Sequence, residues 1–294
     1  MAGYGGLIGF VLLRARAHRL LLAAALLTVL LTTTVLATLT AYSGAIGDAA
    51  LRHSLADQRT GADAALIVKA DVPAAQRSAA DATVREGAAK TFDGLPRTVR
   101  TLVRSGPYAL PGSLRPPTER SGDPDLTFFA ALDPTQVRVD EGRLPEDGDG
   151  GKGGGDSEGA VEVAVPVAAA ERIGVRTGDR LTLTDRLDGP AVDIVVSGLY
   201  RPADAGSPYW RLDDLAGRGL QQGGFTTYGP LLAPPGALSG GRVSAGSSGW
   251  LVTADYSSLT TGRTPALGDA ARGGLAWLRE QQVLSGTTAA TTEL

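Results

Sequence analysis

The stretch HRLLLAAALLTVLLTTTVLATLTAYSG, from His18 to Gly44, decides how the rest of the chain is read. From Leu20 to Gly47 no side chain is charged. A helix needs about 20 residues to cross a hydrocarbon core about 30 Å thick, and this run exceeds that. A cleavable export signal has an apolar region of about 7–15 residues and a small-x-small site after it. This run is longer and ends without such a site, so it is expected to stay as an anchor. Thr28, Thr32, Thr33, Thr34, Thr38 and Thr40 interrupt it. Their hydroxyls can bond back to the carbonyls one turn earlier, which makes them tolerable in lipid. Small polar residues gathered in this way also mark faces that pack on other membrane helices.

The flanks set the orientation. Arg14, Arg16 and Arg19 precede the run, whereas Asp48, Arg52, His53 and Asp57 follow it with mixed sign. The positive-inside bias then predicts a cytoplasmic N-terminus and an extracytoplasmic remainder. Residues 4–13 (YGGLIGFVLL) are apolar enough for a short interfacial helix. Ile46 to Gln58 continues with a partial apolar stripe and reads as a stalk.

Composition narrows the function. The 294 residues carry a net charge of −3, with 20% charged residues and no aromatic-flanked basic stripe, which argues against nucleic acid as a partner. There is no cysteine, so thiol catalysis, thiolate metal sites and disulfides are excluded together. Histidine occurs only at positions 18 and 53, one at the inner membrane flank and one in the stalk. The region beyond residue 61 therefore has no histidine base. His53 reads as a solvated stalk residue, Asp179 as a turn residue bonding local backbone, and Trp210, Trp250 and Trp277 as core or interface aromatics. No catalytic, cofactor-binding or metal-binding residue is assigned, and no enzymatic activity is expected.

Beyond the stalk the pattern is that of a mixed α/β layer. Asp63–Asp71 reads as a strand, Val72–Phe92 as a helix, Arg97–Arg104 as a second strand ended by Gly106-Pro107, and Leu110–Asp125 as a loop. Leu126–Leu132 with Val137 and Val139 suggests further strand. Glu146–Gly159 (EDGDGGKGGGDSEG) is low in complexity. Gly148 to Gly153 satisfies GxGxxG, but no strand leads in and no helix leads out. Asp147, Asp149 and Glu158 match EF-hand positions 1, 3 and 12, but Lys152 replaces the turn glycine, so a solvated linker is expected. Val161–Val167 reads as a strand, Ala168–Gly174 as a short helix closed by glycine, and Val175–Thr184 as a turn and strand. Val192–Tyr200 is its partner strand. Phe225–Leu238 reads as irregular, Trp250–Thr253 as strand and Ala266–Leu284 as helix.

The ordered cassettes VDEGRLPEDG (Val139–Gly148), EVAVPVAAAERIGVRTGDRLTL (Glu162–Leu183), VDIVVSGLYRPAD (Val192–Asp204) and SPYW (Ser207–Trp210) resemble the FtsX-like permease family of ABC transporters, the MacB-type group. In that family a GR-x-P stretch, a strand, an A-x-x-x-G-x-x-x-GD segment and a V-x-G strand recur, and TYGPLLAPPGAL (Thr227–Leu238) is similar to such permeases. The resemblance implies an α+β fold: one N-terminal transmembrane helix with a stalk, then a mixed α/β extracytoplasmic domain with a β-rich inserted subdomain. The expected division is a cytoplasmic segment 1–19, a membrane helix 20–46, a stalk 47–60 and an α/β subdomain 61–140. The β-rich insert then spans 141–249 with the Gly-rich linker at 146–159, and 250–294 returns to the α/β subdomain with its C-terminal helix. The implied function is a permease subunit at the plasma membrane, in contact with membrane lipids. A separate cytoplasmic ABC ATPase subunit and a second permease copy are its implied partners. Since the family carries three further membrane helices, the chain is expected to be an N-terminal portion or a truncated member. A single-pass surface binding or adhesion protein without an ATPase is the alternative.

Overall fold

A computed structural model describes residues 19–56, 63–115, 122–147, 159–223 and 225–284. The expectations for residues 1–18 (His18 among them), 57–60, 148–158 with the GxGxxG match, Asp149 and Glu158, and the polar tail after 284 lie outside these. The chain is a mixed helix and sheet structure with one N-terminal apolar helix and a β-rich domain.

Helix α1 (Arg19–Ala56) is a single helix of 38 residues, about 57 Å long at 1.5 Å per residue. The six threonines do what their position requires: Thr28, Thr32, Thr33, Thr34, Thr38 and Thr40 each donate to the carbonyl four residues earlier at 2.6–3.0 Å. No hydroxyl among these six is left to water, while leucines such as Leu20 and Leu26 stand exposed all round the helix. An apolar surface of this extent has no partner in the domain.

The domain begins with strand β1 (Leu66–Asp71), a 3-10 turn at Ala74–Gln76 and helix α2 (Arg77–Thr91), then strand β2 (Arg97–Ser105). The helix starts later than the sequence pattern suggests because Pro73 caps the 3-10 turn, not the α-helix. Strand β3 (Tyr108–Ala109) falls just before the expected loop, where Gly112–Leu114 adds a 3-10 turn. Strands β4 (Leu126–Leu132), β5 (Val137–Gly142) and β6 (Val161–Pro166) follow. Helix α3 (Val167–Ile173) is closed by Gly174 at φ 74°, a left-handed position suited to glycine. Strands β7 (Arg180–Asp185) and β8 (Val192–Pro202) form the expected antiparallel pair, with Leu183 opposite Val192.

The segment read as irregular is ordered: strands β9 (Leu220–Gln222) and β10 (Thr226–Leu232) precede the short helix α4 (Pro235–Ser239). Gly229-Pro230 looks like a strand breaker, but the ladder shifts register between Tyr228 and Leu231 and leaves that dipeptide out of the pairing. Strand β11 (Ala245–Ala254) leads through a 3-10 turn at Thr261–Arg263 into helix α5 (Thr264–Arg279). This helix ends five residues before the expected Leu284, and a 3-10 turn at Gln282–Leu284 finishes it.

Among the described residues all 11 strands belong to one sheet. Strands β4, β3, β7, β8, β6 and β10 are hydrogen-bonded in a ring, a small barrel closed by parallel pairing of β10 with β4. Period-two alternation sends Val161, Val163 and Val165 of β6 and Val192, Ile194 and Val196 of β8 into one buried cluster with Tyr108 and Phe129. The rings of Tyr108 and Phe129 meet edge to face at 5.0 Å. From β4 the sheet runs outward through β2 and β11 to β1. The same alternation buries both faces here: Leu66, Val68 and Ala70 join Trp250 and Val252 beneath α2 and α5, while Ile67 and Leu251 pack against Tyr209, Trp210 and Leu212. The ring takes β3 and β4 from before residue 141 and its other strands from after it.

Candidate functional site: the junction of helix α1 with the domain

Chemistry is scarce on this surface. Among the described residues no group of three His, Asp or Glu side chains is placed to hold a metal. His53 is exposed on α1. The Asp179 carboxylate accepts the Arg176 N–H at 2.8 Å, the local turn bond its Gly-Asp sequence suggests. Asp147 accepts the Gly236 N–H at 2.8 Å and so caps α4. Trp210 and Trp250 are buried, and Trp277 is partly buried with the Lys90 ammonium 3.6 Å from its ring centroid.

The distinctive arrangement is where α1 meets the domain. Asp48, the first charged residue after the apolar run, accepts two hydrogen bonds on Oδ1, from Thr261 N at 2.7 Å and Thr261 Oγ1 at 2.8 Å. Gly47 sits over the Thr261 methyl, where a Cβ would lie 3.6 Å from it. One and two turns further on, Leu51 and Leu55 pack against the cluster that holds Leu259, Leu267 and Leu284. The 3-10 turn at Thr261–Arg263 and α5 behind it have no side-chain cap of their own and no acid in their first turns. A carboxylate there meets unpaired N–H groups and the positive end of the helix dipole, so Asp48 supplies from α1 what the local sequence lacks.

From Thr261 the contacts run inward without a gap. Arg263 bonds the Asp93 carboxylate at 2.8 Å, tying the start of α5 to the end of α2. The two helices then approach closely. A Cβ on Gly274 would lie 2.3 Å from Thr91 Oγ1, and one on Gly87 would lie 2.3 Å from Leu278. Beneath them, Trp250 Nε1 donates to Asp81 Oδ1 at 3.1 Å, joining α2 to β11.

On the opposite face a strap from β8 crosses the sheet. Ser207 Oγ caps its 3-10 helix, Pro208–Leu212, through Tyr209 N. The Tyr209 hydroxyl donates to Thr101 O at 2.7 Å and accepts from Asp133 N at 3.0 Å, and burial pushes its pKa up. Asp213 is buried, which raises its pKa, although the Gly217 and Leu215 N–H groups bond it. Burial works to raise Asp214 too, but Lys69 at 3.0 Å and Arg104 more than offset it, and its pKa is lowered.

Sequence reasoning placed Asp48 in the stalk but gave no partner for it. The partner lies 213 residues away, and nothing local marks Thr261. The available signal was an isolated carboxylate after a long apolar run, together with a Thr-Thr pair four residues before Pro265 with no acid of its own.

No family model matches the chain, and no curated protein matches it. Among solved structures, the periplasmic region of MacB from Actinobacillus actinomycetemcomitans aligns at 11% identity over 74% of this chain and 88% of that one, with a TM-score of 0.33. A superposition that loose carries no argument about this chain.

Proposed function

We propose that the chain is the first membrane helix and extracytoplasmic domain of an FtsX-like, MacB-type ABC permease subunit. In this reading it performs no catalysis. A separate cytoplasmic ATPase hydrolyses ATP, and α1 carries the resulting movement to the domain. The observation that carries the reading is the junction: α1 is fastened to the α2–α5 layer by Asp48, Leu51 and Leu55, in addition to its covalent continuity with β1. A helix that served only as a tether would need no such seat. The cassettes from Val139 to Trp210 support the family, and the exposed apolar surface of α1 supports insertion in lipid.

The absence of cysteine makes the test direct. Asp188→Cys, on the exposed β7–β8 turn, should react with a membrane-impermeant maleimide on intact cells. The full chain purified in mild detergent should bring an ABC ATPase with it. Labelling that requires lysis would sink the proposed orientation. Labelling without any co-purifying ATPase would favour the surface-binding alternative.

A further inference from the structure

We propose that Asp48 is a register pin: its carboxylate fixes α1 at one axial position against the domain and releases it only by a whole-turn slip. The inference deepens the reading above and rests on it only in that α1 moves.

Three observations carry it. First, a single oxygen, Asp48 Oδ1, holds both the backbone and the side chain of Thr261. Second, the Thr261 turn has no cap of its own to fall back on. Third, neither neighbouring turn of α1 offers a substitute. A slip of one turn, about 5.4 Å, moves residues four apart into each other's places. Moving outward, Gly44 replaces Asp48 and Gly47 replaces Leu51, so the acceptor and one apolar seat are lost together. Moving inward, Arg52 replaces Asp48 and sets a cation against the positive end of a helix. Leu55 then fills the seat of Leu51 but leaves its own to no apolar residue, so the inward slip also loses an apolar seat with the polar contact. Small displacements of α1 therefore drag α5 with them, whereas a full turn disengages it.

Paired cysteines in the otherwise cysteine-free full chain, in native membranes, test the pin. Thr261→Cys keeps the backbone N–H that Asp48 holds. Gly47→Cys with Thr261→Cys should form a disulfide readily, since a Cβ at Gly47 lies 3.6 Å from the Thr261 side chain. Adding Asp48→Ala should cut that yield by about fivefold or more, the scale of a lost helix cap. The yield should reappear with the cysteine moved one turn, as Ser43→Cys or Leu51→Cys. Asp48→Asn, which keeps an acceptor oxygen, should hold the yield within about twofold of the parent. The melting temperature of the domain should fall by no more than about 4 °C in any of them, the scale of one exposed cap. An unchanged Gly47–Thr261 yield in Asp48→Ala overturns the proposal. So does a matching loss in Asp48→Asn, or a larger drop in melting temperature, which would mean that Asp48→Ala unfolds the domain instead of freeing α1. None of these readouts involves an ATPase, so failure here leaves the labelling and co-purification results to stand or fall separately.

Discussion

Two adjacent glycines in α5 should respond to the same substitution with opposite sign. Gly273 is exposed, and a Cβ there meets nothing within 4 Å. Gly273→Ala therefore gains the helix propensity of alanine, about 1 kcal/mol. Gly274 gains the same propensity but faces α2. Its Cβ would lie 2.3 Å from Thr91 Oγ1, 2.6 Å from Thr91 N and 2.7 Å from Thr91 Cα. The hydroxyl can rotate, but the backbone atoms cannot, and carbon atoms settle at about 3.5–4.0 Å. The helices must part by about 1 Å, which loosens the Lys90–Trp277 contact and the seat of Leu278 over Gly87. Overpacking of this kind costs about 2–3 kcal/mol, leaving a net loss of about 1–2 kcal/mol after the propensity gain. The two variants should thus differ by about 2–3 kcal/mol, or about 5–10 °C in melting temperature for a domain of this size. Tryptophan fluorescence during thermal unfolding of the full chain in detergent measures it, with Trp277 at the seam. If Gly274→Ala melts at or above Gly273→Ala, the close approach of α2 and α5 is wrong.

Tyr209→Phe leaves Thr101 O and Asp133 N without their partner, so it should lose about 2–3 kcal/mol, read as a lower urea midpoint at unchanged slope. Tyr256→Phe strands only Ala64 O and should lose about 1 kcal/mol; a larger loss than for Tyr209→Phe would contradict the bond assignment. Burial pushes the Tyr256 pKa up to about 12 from 10.0, so its contribution is whole below pH 10.0 and gone above about 12. At the acid end, hydrogen bonds from Arg115 at 2.8 and 2.9 Å hold the Asp125 carboxyl below its ordinary value of 3.8. A lowered folded-state pKa stabilises above the unfolded value and is lost as pH falls through the folded one. Asp125→Asn should therefore melt below the parent by a constant margin from pH 8 to about 5, and the margin should shrink below pH 3.8. A margin that persists at pH 2 would show that packing, not charge, distinguishes the two side chains.

The legible parts of this fold are those whose signals are local. The charge-free run announced α1 by its length, and the absence of any buried residue along it sets it apart from a core helix. The β6–α3–β7–β8 unit was readable because each boundary is marked on the spot: valines alternate in β6 and β8, Gly174 takes a left-handed cap, and Gly178-Asp179 turns the chain. The barrel was not readable, because its closing step pairs Leu126 with Thr227, 101 positions apart, and parallel pairing leaves no turn motif to find. Strand β3, two residues long, contributes to the ring only through its neighbours β4 and β7. The junction was invisible for the same reason: Asp48 and Thr261 each look like an ordinary polar residue until the sheet brings them together.

The sheet also decides where bending can occur. Strand β4 pairs with β2 on the side of the helical layer and with β3 and β10 in the barrel, so both parts share one hydrogen-bonded strand. The strap reinforces that seam through Tyr209, which bonds Thr101 on β2 and Asp133 just after β4. Helix α4 is held from both sides, by Arg77 of α2 donating to Leu238 O at 3.1 Å and by Asp147 accepting from Gly236 N. Bending between barrel and helical layer would break the ladder of β4 together with several side-chain bonds, most of them partly shielded from water. At the junction with α1 the polar contact is a single exposed carboxylate, and the apolar seats, Leu51 and Leu55, are partly exposed. The free energy of bending is therefore lowest at Asp48, and the domain should follow α1 as one body until that contact gives way.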